Sequence, residues 1–362
     1  MILERNNTPG ARFLLMGASL VVVIAGLRMG ASVLLPFALA LFLSVLSMPL
    51  MSKLRSFRIP ASLSILITIM VIGAIFSGII LLATQSVADL QGQLPSYQAR
   101  LRALYDSWVY GLSGRVGLPL EQYLNLGLID PGAAIALFGQ TAARVVGFLG
   151  NTFLVLLVMV FILAEATVFP EKLRAIRGNE NVSESRMTKI VKEIQEYLAI
   201  KTAVSLATGL LIGTVAWILK LDFPVLLGLI GFVMNYIPTV GSILAAIPAI
   251  VLSLVQFGAL GHFIAVSVSY GVINTVFGNI IEPHLMGRRL GLSTLVVVLS
   301  LLFWAWLWGP VGALLAIPLT MMVKIMLENT EDLRWMAILL DKSPVKFTNY
   351  DISSDSDGSQ NT

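Results

Sequence analysis

The segment richest in chemically active side chains is EPHLMGRRLG, which begins at Glu282 and lies between two long apolar runs. Glu282 is the only acidic residue between Asp222 and Glu328. An ionisable group beside or within a long apolar stretch is costly to bury and commonly has a function. We therefore predict that Glu282 binds a proton or hydrogen-bonds a polar ligand, and that with Arg288 or Arg289 it forms a charged gate or coupling site on the cytoplasmic side. The structural alternative is an ion pair with Arg288 or Arg289 that holds the shape of the loop.

A second set of candidate residues surrounds two interruptions of apolar sequence. In NYIPTVG, Asn235 and Tyr236 lie three and two positions before Pro238, separated from it by Ile237, and Gly241 ends the motif. Proline removes a backbone donor and glycine permits turns, so this pattern predicts a break in a helix. The freed backbone groups and the two polar side chains would then be available to a ligand, unless they only satisfy the broken backbone.

The last apolar run is interrupted in the same way by WGPVG, which contains Pro310 and Gly312. The segment VINTVFGNIIEP adds two polar side chains, Asn274 and Asn279. These are candidates for a ligand path or for hydrogen bonds between helices, which contribute roughly 0.6 kcal/mol each. No metal site is predicted, because only two histidines occur and no further ligands accompany them. The sequence also contains no nucleophile–base set and no nucleotide-binding loop, so neither an enzyme nor a cofactor is predicted.

The elements that must position these residues follow from composition. Of 362 residues, 57% are hydrophobic and 12% are charged, whereas a soluble domain carries roughly 25% charged residues. A membrane-spanning helix needs about 20 mostly apolar residues. Six stretches without Asp, Glu, Lys or Arg meet or approach that length: 31–52, 59–88, 145–164, 202–219, 223–281 and 290–323. The sequence therefore predicts an all-α, polytopic helical membrane protein.

Loop charge predicts the topology. SKLRSFRIP carries three basic residues and no acid, which places it in the cytoplasm by the positive-inside rule. The apolar run 13–27 is interpreted as a retained first span, so both termini are expected in the cytoplasm. The predicted regions are N-terminal spans (1–84), an extracytoplasmic amphipathic helical segment (85–144), a span (145–164), a cytoplasmic charged helical segment (165–201), a transport-type region (202–330) and an acidic, partly disordered cytoplasmic tail (331–362).

The two interruptions resemble each other. PTVGSILAAIP, from Pro238, aligns with PVGALLAIP, from Pro310, as a weak internal repeat. Paired hydrophobic segments broken by glycine and proline are typical of transporter binding regions. If each break turns the chain back as a hairpin, Arg288 and Arg289 lie in the cytoplasm, where they would also anchor the chain to lipid headgroups.

Taken together in this order, NYIPTVGSILAAIPAI and FGNIIEPHLMGRRLGLSTLVVVLSLLFWAWLWGPVGALLAIP resemble the autoinducer-2 exporter family of bacterial inner membranes. The resemblance implies export of autoinducer-2, a small polar signalling molecule of quorum sensing. It also implies a pentameric homo-oligomer whose helical hairpins move. Relatives in the family include sodium/proton antiporters, so the substrate is not determined by membership.

Three interpretations follow. The first is a secondary transporter or facilitator that carries a small polar solute across the lipid bilayer. A cation/proton antiporter is the second, although it should need acids at membrane depth, where only Glu282 qualifies. The third is a non-transporting membrane scaffold. The net charge of +4 is concentrated in basic residues beside the predicted spans, so no nucleic-acid partner is predicted.

Overall fold

The computed structural model describes residues 9–116, 152–177, 181–238, 240–286, 292–328, 330 and 334–341. Within these ranges the prediction of an all-α fold is confirmed, since every regular element is a helix. Seven of these helices are long and apolar enough to cross a membrane. The elements are α1 (Pro9–Met29), α2 (Ala31–Ser56), α3 (Ala61–Val116), α4 (Thr152–Arg177), α5 (Asn181–Ile218), α6 (Pro224–Met234), α7 (Val240–Phe257), α8 (Leu260–Asn274), a π-helix (Thr275–Ile281), α9 (Glu282–Met286), α10 (Thr294–Glu328) and α11 (Arg334–Leu340).

Two helices run through positions where the sequence analysis drew region boundaries. Helix α3 continues without interruption beyond position 84 as far as Val116. Helix α5 likewise joins the charged segment before Lys201 to the apolar segment after it. Helix α3 continues past Pro95 although this residue has no amide hydrogen to donate. The part of the predicted segment 85–144 that follows Val116 lies outside the described residues.

Helices α6 and α7 form a unit that we call the α6–α7 arm (Pro224–Phe257). The Asp222 amide donates to the Gln256 Oε1 at 3.0 Å, and the Gln256 Nε2 donates to the Lys220 carbonyl oxygen at 2.9 Å. These two bonds join the beginning of α6 to the end of α7. The chain between them therefore enters along α6, turns at the Asn235–Gly241 break and returns along α7.

Glycine allows α6 to lie directly against α5. A Cβ atom added to Gly209 of α5 would lie 2.7 Å from the Gly228 carbonyl oxygen and 2.7 Å from the Phe232 Cβ of α6. Small residues that let helix backbones approach closely are the usual means of helix association in lipid. The Tyr97 hydroxyl of α3 donates to the Asp222 carboxylate, which attaches the turn between α5 and α6 to α3.

Helix α10 bends sharply at Gly309, whose φ of 66° and ψ of −149° lie outside the helical region. The Trp304 Nε1 donates to the Thr320 Oγ1 at 3.0 Å. In a straight helix residues separated by 16 positions would lie about 24 Å apart, so the chain after Gly309 turns back along the chain before it. The Trp308 Nε1 donates to the Leu27 carbonyl oxygen at 3.0 Å, which brings this bend to the α1–α2 turn.

Helix α11 connects the two ends of α10. The Ser293 amide donates to the Leu340 carbonyl oxygen at 3.1 Å, and the Lys324 Nζ lies 3.2 Å from the Asp341 Oδ2. At both breaks a glycine lies so close to a backbone carbonyl that no side chain would fit. A Cβ atom at Gly241 would overlap the Met234 carbonyl, and one at Gly312 would overlap the Trp304 carbonyl. This similarity concerns local packing, and the internal repeat stays a prediction.

Candidate functional site

One face of α5 carries a row of polar side chains that we call the polar stripe: Lys201, Ser205 and Thr208, which are buried, and Thr202, which is half-buried. Positions separated by three, four and seven residues share a helix face. The remaining faces of this part of α5 are apolar or occupied by the glycine contact with α6. The stripe therefore points into the protein, where the residues at the end of α6 and the first residue of α9 supply partners for Lys201, Thr202 and Ser205.

Lys201 pairs with Glu282. The Lys201 Nζ lies 2.5 Å from the Glu282 Oε1, and the two side chains are 3% and 17% exposed. A buried charge normally requires a partner of opposite charge because desolvation of an isolated ion is prohibitive. The expected partners of Glu282, Arg288 and Arg289, lie outside the described residues, so that pairing stays a prediction.

The π-helix positions this carboxylate. Residues Thr275–Ile281 form wider turns directly before Glu282, which begins α9. Such π turns inside α-helices shift the register of the following side chains and are frequent at functional sites. The shift brings Glu282 to Lys201 of α5.

The helix break at the end of α6 contacts the same stripe. The Tyr236 hydroxyl donates to the Thr202 Oγ1 at 2.8 Å, and the Asn235 Nδ2 donates to the Ser205 Oγ at 3.0 Å. The Tyr236 ring packs edge-on against Phe42 of α2, with ring centroids 6.2 Å apart. These bonds hold the tip of the α6–α7 arm on α5.

Helix α5 thus brings Glu282 and the Asn235–Tyr236 pair together, although neither contacts the other directly. Lys201 and Ser205 are one helical turn apart, which is about 6 Å along the axis. The ion pair and the hydroxyl–amide cluster are therefore adjacent. Pro238 and Gly241 continue the same break, where Gly241 packs against the Met234 carbonyl.

Other predicted site residues lie elsewhere. Pro310 and Gly312 form the bend of α10, next to Trp304 and Trp308 rather than the stripe. Asn274 is half-buried at the end of α8, and Asn279 is exposed on the π-helix. Nothing in the described contacts brings these four residues to the Lys201–Glu282 pair, and their role in a path stays a prediction.

Sequence analysis missed Lys201, Thr202, Ser205 and Thr208 as site residues. Their signal was the spacing in KTAVSLAT, which places four polar groups on one side of a helix. Lys201 instead was assigned to the charged segment that precedes the apolar stretch. In the described part of the chain, no three His, Asp or Glu side chains gather as a metal site.

The protein is a multi-pass membrane protein of the transporter class. Its helices are long enough to cross a bilayer, and two of them are associated with sharp breaks. A buried ion pair lies beside hydroxyl and amide groups. The chain belongs to the AI-2E family, because residues 18–332 match the family described as AI-2E family transporter. The resemblance noted from the sequence is thereby confirmed, and so is the general assignment to transport.

Individual relatives cover nearly the whole chain. It is 37% identical over 333 residues to the AI-2 transport protein TqsA of Escherichia coli, covering 91% of this chain and 96% of that protein. It is 34% identical over 343 residues to a putative transport protein of Haemophilus influenzae, covering 93% and 98%. A putative transport protein of Bacillus subtilis, YrrI, is 26% identical over 323 residues, covering 82% and 86%. These relatives are bacterial and are named as transport proteins.

Proposed function

We propose that this protein is a secondary transporter or facilitator that exports autoinducer-2 across the bacterial inner membrane. The observation that carries the proposal is the Lys201–Glu282 pair, which lies one helical turn from the Ser205–Asn235 bond at the tip of the α6–α7 arm. The similarity to a protein named AI-2 transport protein supports the choice of solute.

The chemistry of the site suits a small solute with several hydroxyl groups. Thr202, Ser205, Asn235 and Tyr236 together offer hydroxyl and amide groups that both donate and accept hydrogen bonds. In the structure these groups satisfy one another. A polyhydroxylated solute would replace those internal bonds with equivalent ones, so its entry would leave few buried polar groups unsatisfied.

The two broken helices would act as gates on opposite sides. The tip of the α6–α7 arm contacts the stripe near Lys201, whereas the bend of α10 contacts the α1–α2 turn through Trp308. With both termini in the cytoplasm, the Lys201–Glu282 pair would lie at the cytoplasmic end of the apolar part of α5, which follows Lys201. Alternating access would then follow from movement of the α6–α7 arm and the α10 bend in turn.

The Lys201–Glu282 pair would couple the gate to protons. Protonation of Glu282 would remove its charge, weaken the contact with Lys201 and release α9 from α5. Arg288 and Arg289 would remain near the headgroups of the inner leaflet as anchors. A facilitator would keep the pair intact and use it only to hold α8, α9 and α5 together.

Cation/proton antiport is the second candidate, and the same pair is the observation that favours it, because antiport requires a titratable carboxylate at membrane depth. The uncharged groups around the arm tip favour a neutral solute instead. A scaffold without transport would use the stripe only for folding.

The deciding experiment measures autoinducer-2 flux in proteoliposomes of purified protein, with and without an imposed proton gradient. Saturable flux that responds to the gradient supports a coupled exporter, and saturable flux that ignores it supports a facilitator. Absence of flux from folded protein contradicts export. Sodium- or potassium-driven proton movement in the same vesicles would then support the antiporter, and its absence the scaffold.

The proposed transporter is a homo-oligomer of five chains. Native mass spectrometry of the detergent-solubilised protein measures the number of subunits directly. A single species of five chains supports it, and a monomer as the only species contradicts it.

A further inference from the structure

Two buried hydroxyl groups, one in the polar stripe and one on α8, make no hydrogen bond with any described part of the chain, as is also true of Ser44 on α2. The Thr208 and Tyr270 side chains are only 3% and 5% exposed, and neither the Thr208 Oγ1 nor the Tyr270 hydroxyl has a partner. Buried polar groups in proteins are nearly always hydrogen-bonded, because an unsatisfied one costs free energy. A protein that keeps two of them has a use for them or tolerates their cost.

Thr208 stands out among the threonines of α5. Thr202 donates to the Leu198 carbonyl oxygen at 2.7 Å, and Thr214 donates to the Leu210 carbonyl oxygen at 2.7 Å. This bond to the preceding turn is the usual way in which a helical threonine satisfies its hydroxyl. Thr208 makes no such bond, so its hydroxyl stays available to another molecule.

Thr208 lies on the same face of α5 as Lys201 and Ile212, about 10 Å along the axis from Lys201. Ile212 packs against Gly231 of α6, since a Cβ atom added there would lie 2.6 Å from the Ile212 Cδ1. Ile212 also belongs to the buried cluster that contains Tyr270 of α8. The stripe therefore leads to the place where α6 and α8 both pack near Ile212 of α5, and we call this line of helix contact the groove.

We propose that the Thr208 and Tyr270 hydroxyls are hydrogen-bonding positions for the transported solute, along a route that follows this groove from the Lys201–Glu282 pair toward the Tyr97–Asp222 end. The inference rests on the proposed function and adds the route and two residues to it. The solute class is a small uncharged molecule with several hydroxyl groups. In the closed arrangement α6 covers the groove, and a shift of the α6–α7 arm exposes it.

The absence of cysteine from the whole sequence permits a direct test of water access. A Thr208→Cys variant is treated in proteoliposomes with a charged, membrane-impermeant methanethiosulfonate, which reacts with thiolates and thus only where water reaches. The matched control is Thr214→Cys, because Thr214 is exposed on the outer face of the same helix. We expect the cysteine at 208 to be labelled, its labelling to slow when autoinducer-2 is added, and the control to remain unlabelled.

A cysteine at 208 that stays unlabelled, or whose labelling autoinducer-2 does not slow, overturns the route.

Flux measurements on Thr208→Val and Tyr270→Phe give an independent answer, with Thr214→Val as control. Loss of one hydrogen bond to the solute should raise KM about three- to tenfold without lowering the melting temperature. Unchanged KM together with a raised melting temperature would mean that the hydroxyls are idle, which overturns the proposal. Absence of wild-type flux would overturn the proposed function itself, whereas normal wild-type flux with unaffected variants overturns the route alone.

Discussion

Lys201 and Glu282 form a buried ion pair although 81 positions separate them in the chain. Lys201 lies within α5, and Glu282 begins α9 directly after the π-helix. The pair therefore ties the inner part of α5 to the end of the span formed by α8, the π-helix and α9. Its position beside the arm tip makes it the contact through which charge would control that tip.

Removal of one partner should destabilise the protein strongly. Lys201→Met or Glu282→Gln leaves the other group buried without its counter-charge, which costs about 3 kcal/mol, the lower end for buried pairs because part of Glu282 remains exposed. Thermal unfolding in detergent measures this loss.

The double variant Lys201→Met/Glu282→Leu separates structure from coupling. It should recover most of the melting temperature, since an apolar pair needs no counter-charge. If it also transports autoinducer-2 with an unchanged response to the proton gradient, the pair is structural and does not couple transport.

The close approach at the first break predicts a steric effect. A Cβ atom at Gly241 would overlap the Met234 carbonyl, so Gly241→Ala forces the start of α7 away from the end of α6. We expect a loss of about 1–3 kcal/mol in the free energy of unfolding. Gly271→Ala is the matched control, because a Cβ atom there meets nothing within 4 Å. Equal melting temperatures for the two variants would contradict the packing described.

The hydrogen bond of Tyr236 to Thr202 predicts a transport phenotype with little change in fold. Tyr236→Phe keeps the ring packed against Phe42 and Phe232 but removes the donor to Thr202. Stability should fall by about 0.5–1.5 kcal/mol, whereas flux at limiting autoinducer-2 should fall several-fold more than in Ser253→Ala. Ser253 bonds only the Ile250 carbonyl of its own helix. Equal flux in both variants would remove Tyr236 from the path.

The outer attachment of the α6–α7 arm predicts a change in dynamics. Tyr97→Phe removes a hydrogen bond to the Asp222 carboxylate, an interaction of about 1.5–3 kcal/mol when one partner is charged. Amide hydrogen exchange in Pro224–Phe257 should become faster, because the turn before α6 loses its hydrogen bond to α3 and keeps the ring contact between residue 97 and Phe223. Exchange in α4 serves as the internal reference. Unchanged exchange in the arm would mean that the Tyr97–Asp222 hydrogen bond does not limit its opening.

Part of the candidate site was predictable from local sequence. Glu282, Asn235 and Tyr236 stood out because a charged or amide side chain is conspicuous in an apolar run, and Pro238 with Gly241 marked the break. Lys201 was not conspicuous, since it ends a segment rich in lysine and glutamate. Nothing in its immediate neighbours distinguishes a buried lysine from a solvated one.

The sequence by itself determined that the chain is helical and crosses a membrane, and where its helices break. These properties follow from the length of charge-free stretches and from proline and glycine, and both act over a few neighbouring residues. Only the tertiary structure decided that the break at Asn235 and the carboxylate of Glu282 both contact α5. That meeting requires glycine-mediated packing of α6 on α5 and the shifted register of the π-helix, which arise between distant segments. Contacts between distant segments made these separate polar residues into one site.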